Sequence, residues 1–172
     1  MMGRALLIVG AMATLGLLAT AVFGYGLDGT AGRQVGPDMT RHVLVALASS
    51  LLLLFSHCWI MFYLIGTGKA IKEAVAEHSL EPALIEETKR FKNESYPSLM
   101  LAMALAMATF ILGGGAATNS LPAWIHHGLF WATLLVQGRA LWIEKGVLEQ
   151  NEKLMADIDR RVSSPRASQA RA

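Results

Sequence analysis

Charge is what this sequence has least of, and its placement matters more than its amount. Asp, Glu, Lys and Arg make up 16% of the 172 residues, where soluble domains carry about a quarter. None of the 13 acidic residues falls inside an apolar run, except Glu144 at the edge of the last one. Cysteine is nearly absent too. With Cys58 alone, an intrachain disulfide and a multi-cysteine metal cage are both excluded. Nothing matches a nucleotide-binding glycine loop, a serine or cysteine triad, or a zinc-protease signature, so no catalytic motif points to an enzyme. No basic tract is interleaved with aromatics, and nucleic acid is not expected as a partner.

What remains is four long apolar stretches. The run 43–66 contains no Asp, Glu, Lys or Arg and is broken only by Ser49, Ser50, Ser56 and His57. A spanning helix needs about 20 mostly apolar residues, and a water-soluble helix of this length would need a polar face. The run therefore reads as a transmembrane helix carrying an imidazole near its middle. Residues 5–24 form a first span, behind Arg4, and read as a retained anchor because the run exceeds the usual signal-peptide core. Gly16, Thr20 and Gly24 recur every fourth residue there, a smooth strip on which a neighbouring helix can sit closely. Residues 97–113 and 121–143 complete the set, the last with Ser120 as an expected N-cap before Pro122.

Between the spans the composition changes. Residues 25–41 are a glycine-rich loop, and 69–95 a charged segment. The second span is expected to run on there as an amphipathic turn or two, and a short helix to start at Pro82 and end near Lys92. Residues 144–162 read as a polar helix with Val147, Asn151, Leu154, Ile158 and Val162 along one stripe, and 163–172 as a disordered tail. Only Arg33 and Arg41 flank one side of the spans, against twelve lysines and arginines on the other. By that asymmetry both termini and the charged loop are expected to be cytoplasmic, in a multi-pass protein of the inner cell membrane. The fold class expected is all-α: an integral membrane four-helix bundle with a cytoplasmic amphipathic loop and a helical C-terminal extension.

The polar residues inside the spans are the candidates for chemistry. At 100° per residue, His126, Thr133, Gln137 and Glu144 share one line of the fourth helix, and Ser50, His57 and Met61 share a face of the second. Such stripes turn inward, since lipid cannot satisfy their hydrogen bonds. The groups that would line a cofactor cavity are His57, His126, His127, Gln137, Ser50 and Thr133, with b-type haem or quinone as the ligand. Taking each span's midpoint as the membrane centre, His57 lies about 10–13 Å from the level of His126 and His127. That is too far for one haem held by both, and a His57 to Gln137 hydrogen bond is easier.

Two functions follow. The first is a non-catalytic accessory or structural subunit of a membrane complex, binding lipid and holding partner subunits through the charged inner loop and residues 144–162, the latter also open to a second copy. The alternative is a small redox or ligand module with b-type haem or quinone between helices 2, 3 and 4. A transporter is a weaker third, because no charged residue lies mid-span and no inverted repeat is seen.

Overall fold

The computed structural model describes residues 2–26 and 36–163; most of the glycine-rich loop, Arg33 and tail residues 164–172 lie outside the described residues. The chain forms four helices: α1 (Met2–Tyr25), α2 (Pro37–His78), α3 (Ala83–Ala117) and α4 (Ala123–Val162). α1, α2 and α3 are long and apolar enough to cross a membrane. α4 falls short of them in hydropathy because His126, His127, Gln137 and Arg139 interrupt its apolar stretch.

Side-chain contacts set the topology. Gly16 meets Ser49 and Gly24 meets His42, so α1 and α2 are antiparallel. The Tyr96 hydroxyl donates to the Met61 carbonyl at 3.0 Å, and the Thr109 and Thr133 hydroxyls meet at 2.8 Å, which makes α2 with α3, and α3 with α4, antiparallel as well. α2 and α4 run parallel and touch across the centre through His57 and Gln137. The strip of small residues on α1 does bring that helix close: a methyl group at Gly16 would collide with Ser49.

Three helices outrun the apolar core. α2 has 42 residues, about 63 Å at 1.5 Å each, against a hydrocarbon core of about 30 Å. The surplus of α2, α3 and α4 projects from the end that carries the charged segment, called here the charged end. There Ile71, Val75, Leu84, Phe91, Val147, Leu154 and Ile158 are buried in one cluster. The stripe on 144–162 is therefore covered within the chain. α4 reaches it without a break, so this segment continues the last helix and does not form a separate one.

Two local expectations come out differently. α3 does not stop near Lys92 but runs straight through Pro97. A proline inside a helix loses one backbone bond, to the carbonyl four residues back. Here the Ser95 hydroxyl on the Phe91 carbonyl at 2.7 Å and the Tyr96 bond to α2 brace the same turn. Ser120 does not cap α4: its hydroxyl meets that of Thr118 at 2.9 Å, and Pro122 takes the cap position.

Candidate cofactor site

At the end opposite the charged one, the four helices line a half-open cavity of about 450 Å3, within the usual range for small-molecule and cofactor sites. Its wall is mostly apolar, with Leu17, Ala46, Ala106, Phe110 and Phe130, and its polar groups are few. Ser50 and Thr133 line it, as do His126 and His127. So does His42, a residue the sequence reading passed over. His57 and Gln137 do not line it.

His42 and His126 face the cavity as a pair. The His42 Nδ1 donates to the Thr20 carbonyl of α1 at 3.1 Å, and the His126 Nδ1 donates to the Thr109 carbonyl of α3 at 3.1 Å. A carbonyl can only accept, so each neutral ring carries its proton on Nδ1 and keeps a bare lone pair on Nε2. That is how a protein presents an imidazole to a metal: the second nitrogen is fixed by a backbone carbonyl. The ring centroids lie 6.5 Å apart with planes at 88°. A metal held between two imidazole nitrogens at about 2.0–2.1 Å each would set the centroids about 6.3 Å apart. The spacing suits one metal atom between the two rings.

Each ring also rests on a glycine of the preceding helix. A methyl group at Gly24 would stand 2.8 Å from His42 Cε1, and one at Gly113 would stand 2.9 Å from His126 Cε1. The two halves of the site are thus built alike. Ala19-Thr20 followed by Gly24 and Gly26 on α1 corresponds to Ala108-Thr109 followed by Gly113 and Gly115 at the end of α3. In both, the threonine carbonyl holds a histidine of the next helix and the glycine four residues on makes room for it. Seven residues past each histidine sits a buried hydroxyl, Ser49 and Thr133, each donating to the carbonyl four residues back. The hairpins α1–α2 and α3–α4 repeat one another about the bundle axis.

His127 stands beside the pair. Its ring is 6.0 Å from that of His126 and 5.2 Å from that of Tyr25, whose hydroxyl accepts from Trp131 Nε1 at 2.9 Å. Among the described residues, no three His, Cys, Asp or Glu side chains come close enough to hold a bare ion. Two imidazoles over an apolar hollow instead suit a metal whose remaining ligands come with it, as in haem.

A second polar centre lies deeper in the bundle. His57 Nε2 meets Gln137 Oε1 at 2.8 Å, the contact expected from depth, while its Nδ1 stands 2.6 Å from Glu144 Oε1. All three side chains are fully buried. The orientation of Gln137 follows from its other end. Thr14 donates its hydroxyl hydrogen to the Gly10 carbonyl at 3.0 Å, so it can only accept from Gln137 Nε2, at 3.3 Å. The amide oxygen therefore faces His57 and Nε2 carries a hydrogen, while Nδ1 and Glu144 Oε1 lie in close contact without hydrogen-bond geometry.

Comparison with known proteins gave no match to a family model, to a curated protein or to a solved structure.

Proposed function

We propose that the chain is a small integral membrane protein that holds one b-type haem between α2 and α4, with His42 and His126 as its axial ligands. One observation carries this reading: two imidazoles, each tied at Nδ1 to a backbone carbonyl and bare at Nε2, set 6.5 Å apart over an apolar cavity. Bound haem would supply one-electron chemistry. The chain's residues orient the axial nitrogens, exclude water with an aliphatic and aromatic wall, and leave His127 and Tyr25 at the rim.

α4 serves as the fourth span, its polar groups turned inward, with Arg139 near enough to the charged end to reach lipid phosphates. The lysine and arginine asymmetry supports a cytoplasmic charged end, both termini on that side, and a haem nearer the outer surface of the inner membrane. The accessory-subunit reading relied on the 144–162 stripe as a docking face. With that stripe covered by α2 and α3 of the same chain, haem binding is the better supported function, and service within a larger electron-transfer complex is compatible with it.

The test is a reduced-minus-oxidised spectrum of detergent-purified protein. The expected result is the Soret and α bands of a six-coordinate, low-spin haem, lost in His42→Ala and in His126→Ala and kept in His57→Gln. A colourless protein purified from haem-replete cells, or a haem indifferent to both substitutions, overturns the proposal.

A further inference from the structure

The buried pair Glu144 and His57 is the most expensive feature of the bundle, and the proposed haem site does not use it. A carboxyl and an imidazole inside a bilayer cost far more than apolar residues of the same volume. Helix register does not require them, since Gly10, Gly16 and Gly24 already fit α1 closely against its neighbours.

A polar network kept only for structure is fully bonded, and this one is not. Among the described residues, His57 Nδ1, both Glu144 carboxyl oxygens, Ser56 Oγ and Ser98 Oγ are buried with no hydrogen-bond partner. These atoms lie at about one depth. A methyl group at Gly10 would stand 3.3 Å from Ser56 Oγ and 3.9 Å from Glu144 Oε2. The pairings of Thr109 with Thr133 and of Arg90 with Gln150 set Ser98 of α3 level with Glu144.

From that level a ladder of separate interior polar groups is spaced toward the charged end. Ser95 comes next, fully buried, its hydroxyl on the Phe91 carbonyl. Then come Asn151, whose amide meets the Thr67 hydroxyl at 3.1 Å, and the buried Thr88, whose hydroxyl donates to the Ile85 carbonyl. A methyl group at Gly68 would lie 3.5 Å from Thr88 Oγ1 and 3.3 Å from Lys92 Nζ, where the ladder meets charged residues. Toward the cavity the arrangement closes. Gln137 has its oxygen committed to His57 and its nitrogen to Thr14, and an amide does not readily relay a proton.

We infer that Glu144 and His57 form a proton-exchange site at the centre of the bundle, loaded from the charged end along this ladder and closed toward the cavity by Gln137. A proton taken up at Glu144 Oε2 is held beside the His57 imidazole and leaves by the same atom. Few other ionisable groups face the pair. α1 brings only Gly10 and Thr14, α2 adds Ser56, α3 brings Ser98 and, farther along, Tyr96, and on α4 Arg139 and Lys145 point outward.

Infrared difference spectra of the reconstituted full chain, acid minus alkaline, test this. The wild type is expected to show a carboxyl band that Glu144→Gln removes and that shifts in D2O within minutes. Ser95→Val, which cuts the ladder, should slow that shift about tenfold, and Ser49→Ala, on the cavity side of Gln137, should leave it unchanged. Helicity by circular dichroism confirms that each variant is folded. The site does not depend on the haem reading: His42→Ala protein, without a Soret band, should keep the carboxyl band. A folded wild type with no pH-dependent or exchangeable band assignable to Glu144 overturns the inference. So does an exchange that Ser95→Val does not slow.

Discussion

At the scale of single residues, the partner of a buried group decides what its loss costs. The sequence alone makes His57 look replaceable, because an apolar residue facing lipid or a helix interior is cheap. The 2.6 Å contact with Glu144 changes that expectation. His57→Leu leaves a fully buried carboxyl without its partner, a loss of about 3–5 kcal/mol on the scale of broken buried pairs. His57→Leu combined with Glu144→Leu should recover most of it, since replacing both partners by apolar groups is nearly neutral. Thermal unfolding in detergent of the two single variants and the double variant reads this directly; equal stability of His57→Leu and wild type would show that Glu144 is not held by the imidazole. The alignment of His126, Thr133, Gln137 and Glu144 on one face of α4 was legible from helical spacing. Its inward turn was legible from the same stripe and Glu144 is fully buried; its closeness to His57 was not, because it sits where the apolar run ends while His57 sits mid-span.

At the scale of helices, close approach is controlled by glycine at named positions. Gly24→Ala and Gly113→Ala each put a carbon within 3 Å of an imidazole carbon and should displace His42 or His126. The expected outcome is weaker haem retention and an altered Soret band with helical content unchanged. Gly66→Ala and Gly128→Ala, which meet nothing within 4 Å, are the matched controls. They should be neutral or stabilising by up to about 1 kcal/mol, the propensity gained in a helix interior. Haem retention unaffected at Gly24 and Gly113 would separate these glycines from the site. His42 escaped the sequence reading for a reason visible at this scale. The loop ends at Arg41 and the apolar run begins at Val43, so His42 falls between them, whereas α2 begins at Pro37. Depth was also measured from span midpoints. In the folded chain His57 sits between Gln137 and Glu144, and counting back about 14–15 residues on either helix, about 22 Å, reaches both His42 and His126.

At the scale of the whole molecule, the apolar spans were plain from composition, while the packing of the projecting ends was not. Helical periodicity showed a stripe on 144–162 but could not say what covers it, and the answer lies far away in sequence on α2 and α3. Removing residues 148–162 would expose Ile71, Val75, Leu84 and Phe91 together. Size-exclusion chromatography of the truncated chain should show aggregation, and a monodisperse product would mean that this cluster does not hold the charged end. On the proposed topology, reporter fusions at Leu80 and after Ala172 should both report the cytoplasm, and a split result would count against α4 as a span beside α1, α2 and α3. The duplicated threonine-and-glycine pattern was also present in the letters, but it becomes noticeable only when each copy is seen holding a histidine.

On the proposed haem reading, the two histidines belong to different hairpins, and the second is made last. During translation the ribosome releases His42 with more than half of the chain still to come, so the first hairpin forms with one histidine of the pair. Cofactor loading would then follow synthesis of the final helix, and a nascent chain arrested before residue 126 should emerge unpigmented.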